Sequence, residues 1–576
     1  MPGKMGKVLA VARQDQPADL LLKNCRLVNV MNSEMTETNI AVQDGMIAAV
    51  GDKYSSARKI IDLDGKYVTP GLIDAHLHIE STLLFPPELA RLMVVNGTTC
   101  VINDPHEIAN VLGIEGVKLM LDAAPGLPCD FYFTAPSCVP ATDLETSGAK
   151  ITAAQVAELL NHSRVVGLGE MMNFPGLING DEEVLAKVAA AHKRGKVVDG
   201  HAPGLTGTDL QAYLSAGIST DHECITISEA EEKMRSGMMV IIRHGSASSS
   251  LAELLPLVNS QTVDAFMFGS DDREAGDLLN KGHLNDLLKT AVSLGADPLQ
   301  IIKIATINAA KHYRLYDRGV LAPGFLADLV VFDDLERFNV ELVVKNGRVA
   351  AESGELTDDI SAASLPEKAL NTVNLSRELE VDDFQLYAGK TKLPVIGIVP
   401  GQLVTEKLMP EINADKSGEI KADPEKDIIK IAVVERHKAS GRLAAALVRG
   451  MGLKQGALAS SVAHDSHNIL VAGVEEEAMA AAVNELARTG GGFTVVDGSG
   501  QVKATLALPV AGLMSDQPAD QVAAGMDEIL TAAKELGAKL DHPFLTLAFL
   551  ALPVIPSLKI TDRGLFDVDN FQFIKL

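Results

Sequence analysis

Through the middle of the chain, short apolar runs close on polar clusters and give way to stretches with helical spacing, and the alternation repeats. Strands are expected at residues 67–78, 98–103, 130–135, 165–170, 196–201, 218–222, 238–244 and 265–271. Helices are expected between them, at 156–161, 182–193, 210–216, 229–236 and 284–294. Strands alternating with helices in this way predict an α/β fold, a parallel (β/α)8 barrel of the TIM type, which places its chemistry at the carboxyl ends of its strands.

The flanks read differently. Residues 19–30, 39–50 and 59–68 are β-type runs divided by turns such as Gln43-Asp44-Gly45, and the pattern returns at 324–332 and 343–349. A small β-sandwich built from both flanks is therefore expected, from residues 1–69 and 313–370, closing a barrel that occupies 70–312. Beyond a polar stretch near 370, strands at 428–434, 468–471, 493–496 and 506–510 and helices at 442–449, 475–489 and 518–536 predict a C-terminal α+β domain, 371–576.

At 576 residues the chain exceeds what one core can serve, in keeping with several domains. A net charge of −25 leaves no basic excess for nucleic acid or an anionic membrane, so free small molecules are the expected partners. The five cysteines (Cys25, Cys100, Cys129, Cys138, Cys224) form no Cys-x-x-Cys, which suits a reducing cytoplasm and excludes a thiolate zinc knuckle. The apolar piece at 8–11 is too short for a leader, and Pro553 interrupts the run at 545–555, so no membrane span is expected.

Candidate chemistry lies where the strands end. In His76-Leu77-His78 a period of two turns both imidazoles to one face. Alone this is a weak signal, explained equally by two polar residues on a half-buried strand. It recurs, however, in Asp104-Pro105-His106-Glu107, Glu170, Asp199-Gly200-His201, Asp221-His222-Glu223, Arg243-His244 and Ser270-Asp271-Asp272. That recurrence predicts a metal site with nitrogen and oxygen ligands, open to Zn²⁺, Mn²⁺ or Fe²⁺. Two cations sharing a water lower its pKa from about 15.7 toward ~7.

With residues 70–81, 103–110, 199–203, 220–223 and 461–468 in view, the chain resembles the amidohydrolase superfamily of metal-dependent hydrolases. Within that superfamily it is most similar to the bacterial enzymes that deaminate adenine. The resemblance implies two divalent ions, Mn²⁺ or Fe²⁺ ahead of Zn²⁺. His76, His78 and Asp271 would hold one, His201 and His222 the other, and Glu170 would bridge them where many relatives use a carboxylated lysine. It implies attack of the activated hydroxide on C6 of adenine, giving hypoxanthine and ammonia in purine salvage. Asp271 would take the hydroxide proton, and Glu223 would either protonate N1 or, in the alternative reading, orient a ligand imidazole as a supporting carboxylate. A cytoplasmic homo-oligomer, dimer or higher, is implied as well.

Three alternatives use the same residues: a deaminase of another or N6-substituted base, a cyclic-amide hydrolase, and a non-catalytic metal-binding barrel. Glu80, Asp104, His106, Glu107, Arg243 and Asp272 are candidates for contacting substrate or supporting the ligands. Asp74 is expected on the face of His76, deeper in the barrel, in a structural hydrogen bond. His162, His192, His283, His312 and His542 read as ordinary surface or core residues. The Ser, His and Asp of 464–467 stand too close in sequence to form a catalytic triad, and a loop covering the barrel mouth is the better expectation.

Overall fold

Strands buried on both faces need near-continuous apolar sequence, and the eight barrel strands are found where those runs lie. In the computed structural model, which describes residues 2–246, 248–360, 365–389, 391–412 and 414–575, they are β1 (Leu72–Leu77), β2 (Thr98–Asn103), β3 (Asp130–Ala135), β4 (Val165–Met171), β5 (Val197–Gly200), β6 (Thr220–Asp221), β7 (Met239–Arg243) and β8 (Phe266–Gly269). Strands β1 to β5 pair in parallel in sequence order, as do β6 to β8. Closure comes from Ser219 N–H donating to Val198 O (2.9 Å) and, across β8 and β1, from Asp271 N–H donating to His76 O (3.0 Å). Strand β6 is shorter than expected because the Thr220 hydroxyl, rather than a backbone carbonyl, accepts the Gly200 N–H.

Ile73, Ala75, Cys100, Ile102, Ile241 and Met267 fill the barrel interior with Tyr313, whose hydroxyl donates to Ala75 O (2.9 Å). Each large apolar side chain buried there is worth about 1.5–3 kcal/mol. The β1–β2 register slips between Asp74 and Leu77. Such a bulge exchanges the faces of a strand, so Ile73 and Ala75 point inward below it while His76 and His78 point inward above it. Asp74 accordingly lies on the opposite face from the one the simple alternation gave it. It takes the structural role expected, accepting from His76 N–H (3.1 Å) and lying 3.0 Å from Nε2 of His283.

The flanks form one nine-stranded sheet, joined where Tyr67–Pro70 runs antiparallel to Leu329–Phe332, and it curls around a shared core that includes Leu22, Val42, Val68, Leu329 and Val344. Its ends meet at two tight turns. A Cβ on Gly347 would come 2.7 Å from the Cα of Gly45, and both glycines have positive φ. A helix, Pro2–Ala12, which the apolar pattern did not reveal, covers Leu21, Ala41 and Ala49.

The C-terminal domain is built on an eight-stranded sheet flanked by the helices Glu476–Thr489 and Ala519–Glu535. Residues 442–449, expected as a helix from their alanines, are the strand Leu443–Arg449, fully paired with Ile428–Val434. Weak local propensity yields here to tertiary pairing. The hairpin loop 461–468 of this sheet faces the barrel. It is fixed by Arg436, which donates to His467 O, and by His437, whose Nε2 donates to Ser466 O (2.7 Å). Among the described residues no helix is long and apolar enough to cross a membrane.

Burial, reinforced by Arg436, pushes the His437 imidazole down to about 3. Between that value and about 6.5 the unfolded chain binds a proton that the folded chain refuses. The stability this group contributes is therefore complete above about 6.5 and lost as the pH falls toward 3. Thermal unfolding followed from pH 7 to pH 5 is expected to show a fall in midpoint that His437→Gln flattens. An unchanged slope in the variant would refute the assignment.

Candidate metal centre

Six side chains from five strand ends converge above the barrel interior. Nε2 of His76 and Nε2 of His78 each lie 3.4 Å from Oδ1 of Asp271. Oε2 of Glu170 is 3.0 Å from both Nδ1 of His201 and Nε2 of His222, and its two oxygens stand 3.9 Å from the nitrogens of His76 and His78. Glu170 is thus the group common to both halves of the cluster. All six expected ligands are brought together.

Their orientations are set by neighbours. His78 donates through Nδ1 to Asp104 O (3.0 Å), which leaves the lone pair of Nε2 facing the centre. Asp104 also accepts the N–H of Glu170 (2.8 Å), and this approach demands glycine at 169, where a Cβ would meet the Asp104 carboxylate at 2.2 Å. Asp271 holds a left-handed φ of 55°, turning its carboxylate back over β1. Arg243 donates through Nη1 to Asp271 Oδ2 (2.8 Å) and grips Glu223 with both terminal nitrogens.

The remaining candidates divide. His106 joins the cluster, with Nδ1 3.3 Å from Glu170. Arg243 and Asp104 support ligands. Glu80 accepts from the Ile108 N–H (3.0 Å), at the start of the helix His106–Leu112, and Asp272 accepts from Ser81 (2.6 Å). Glu107 turns toward the C-terminal domain, with its oxygens 3.8 Å from Nδ1 of His464 and 3.7 Å from Nε2 of His467. His244 pairs with Ser249 and takes no part in the cluster. Sequence reasoning singled out 464–467 but gave it no partner, because nothing local links it to Glu107.

Electrostatically the site is a buried set of acids and imidazoles. Burial alone would raise Glu170 and Asp271, but the imidazoles around them, and Arg243 for Asp271, hold both well below the usual carboxylate range. Burial opposes charge on the histidines, yet Glu170 lifts His222 to about 9, and Asp104 with Glu170 lifts His106 to about 10. Burial and the adjacent Glu107 raise Glu80 to about 7. Protons and cations can satisfy such a set interchangeably.

The fit to metal rests on the donors. Nε2 of His76 and Nδ1 of His106 are buried without a hydrogen-bond partner among the described residues. The groups His76–His78–Glu170, His76–His222–Asp271 and Glu170–His201–His222 each gather their donor atoms within 4.8 Å. Nitrogen and oxygen donors without thiolate suit divalent first-row ions.

A parallel barrel with this donor set at its strand ends is the framework of the metal-dependent hydrolases, and residues 67–350 match the family described as "Amidohydrolase family". Residues 402–572 match a second family, "Adenine deaminase C-terminal domain". The chain belongs to the adenine deaminase family. It is 48% identical over 570 residues to the adenine deaminase of Desulfatibacillum aliphaticivorans, covering 99% of each chain. It is 46% identical over 575 residues to that of Dehalococcoides mccartyi, covering 100% of this chain and 99% of the relative. It is 45% identical to adenine deaminase 2 of Carboxydothermus hydrogenoformans, covering 98% of each.

Proposed function

We propose that the protein catalyses hydrolytic deamination of adenine to hypoxanthine and ammonia. The observation that carries this reading is full-length similarity to adenine deaminases, in a chain whose barrel gathers six ligand-type side chains around one shared carboxylate. His76, His78 and Asp271 would hold one divalent ion, His201 and His222 a second, and Glu170 would serve both. Mn²⁺, Fe²⁺ and Zn²⁺ all match such donors. When bound, the pair supplies a hydroxide nucleophile near neutral pH.

The chain's own groups manage the protons. Asp271, next to the imidazoles of β1, accepts the proton that the nucleophile loses. Glu223, 3.5 Å from Nε2 of His222, delivers a proton to N1 as C6 becomes tetrahedral. Arg243 touches both carboxylates and is a positioning residue for the pair. Asp271 then passes its proton to the amino nitrogen, and as the C6–N bond breaks and the C6 carbonyl forms the group leaves as ammonia. Five unpaired, buried cysteines suit the reducing cytoplasm as the place of action.

Ammonia release and ultraviolet change, measured over adenine, an N6-substituted adenine, a pyrimidine base and a hydantoin after reconstitution with each ion, test the reading. Adenine is expected to turn over fastest. A faster reaction with the pyrimidine or the hydantoin would overturn it.

A further inference from the structure

Between the barrel rim and the C-terminal domain lies a narrow, mostly apolar cavity, lined on one side by Ser81 and Asp272 and on the other by His464, Phe493 and Phe544. Behind His464 of that lining, Glu107, His464 and His467 bring donor atoms within 4.8 Å of one another, the spacing of a further metal site. The hydrogen bonding of His467 argues otherwise. Its Nδ1 accepts the N–H of Ala463 (3.1 Å), so in the neutral ring the proton resides on Nε2, and a nitrogen that carries a proton cannot ligate a cation.

Nε2–H of His467 is consequently a donor. It is fully buried and has no hydrogen-bond acceptor among the described residues; a carboxylate oxygen of Glu107 is 3.7 Å away. Burial and the adjacent His464 hold this imidazole well below its ordinary range, so it stays neutral. The loop that carries the ring is fixed. The carbonyl of His467 is held by Arg436, the next residue Asn468 donates to Thr146 O (2.8 Å), and Ser461 at the head of the loop donates to Gly512 O (2.7 Å). A buried donor kept this rigidly with nothing to bond is costly unless a ligand supplies the acceptor.

The other half of the arrangement comes from the barrel. Glu107 is buried and accepts from Ser81 (3.2 Å), and its carboxylate shares a 4.8 Å cluster with His78 and His106, which places it beside the metal centre. His464 stacks on Phe549 with ring centres 4.6 Å apart, giving the recess a flat wall. A donor and an acceptor side by side match the edge of a planar base that offers an acceptor ring nitrogen next to a ring N–H.

Resting on the adenine reading above, we propose that the C-terminal domain supplies a substrate contact: Nε2–H of His467, beside the Glu107 carboxylate, binds the ring-nitrogen edge of the purine whose C6 faces the metal centre. The domain is then a determinant of specificity as well as a cover.

The test is steady-state kinetics of the reconstituted full chain on adenine, 3-deazaadenine and 7-deazaadenine, for the wild type, His467→Phe and His467→Gln. The wild type is expected to disfavour one deaza analogue by about 10- to 100-fold in kcat/KM, because that analogue lacks the contacted nitrogen. His467→Phe is expected to lose this discrimination, by a rise in KM for adenine with little change for the disfavoured analogue. His467→Gln, which restores an N–H, should recover part of it. A uniform loss on all three substrates, or unaltered discrimination, would overturn the contact while leaving adenine as substrate. A wild type inactive on adenine would overturn both.

Discussion

Glu170→Gln is expected to reduce adenine turnover by about 10³-fold or more and to lower the metal held per chain. Oε2 of Glu170 faces His201 and His222 at 3.0 Å, while Oε1 faces His106 at 3.3 Å. An amide offers one oxygen where two are used, and its NH₂ would meet either a pair of nitrogens that must present lone pairs or His106. Metal analysis after desalting, together with ammonia release, measures both effects. Because Asp104 holds the backbone of residue 170 rather than its side chain, the variant should fold, and its thermal unfolding checks this. Full metal content with undiminished activity would remove the shared carboxylate from the site.

The second large effect is expected at Glu223. Glu223→Gln should lower kcat by about 10²- to 10⁴-fold, the usual range for loss of a general acid or base, with metal content retained and KM little altered. Arg243→Lys should give an intermediate loss, since an ammonium cannot hold Glu223 with two parallel bonds while also reaching Asp271. A Glu223→Gln enzyme that loses metal instead of rate would show the carboxylate to be a ligand support, and the proton donor would have to be sought elsewhere.

The polar clusters that hold the six ligand-type side chains were legible because each sits at the end of an apolar run, which a barrel turns into a shared location, and the family resemblance picked the six out of those clusters. His76 and His78 were correctly paired by alternation, but Asp74 was not, since a bulge inside β1 leaves no mark on the hydrophobic pattern. Residues 442–449 deceived for a related reason: alanines favour a helix in isolation, and only the partner strand Ile428–Val434 decides otherwise. The contact of Glu107 with His464 and His467 was invisible because no periodicity couples positions so far apart in the chain. His106 lay between these cases, visible as a polar residue after β2 but placed beside Glu170 only by the fold.

The C-terminal domain is also stitched to the barrel from the far end of the chain. Asp562 accepts both the N–H (2.8 Å) and the hydroxyl (2.6 Å) of Thr146, and Arg563 donates to Asp143 O (2.6 Å). Ribosomes deliver the barrel first, so every ligand can be in place while those fastenings are still untranslated. A nascent chain that ends before residue 562 therefore carries all six ligand-type side chains of the barrel but neither of these fastenings.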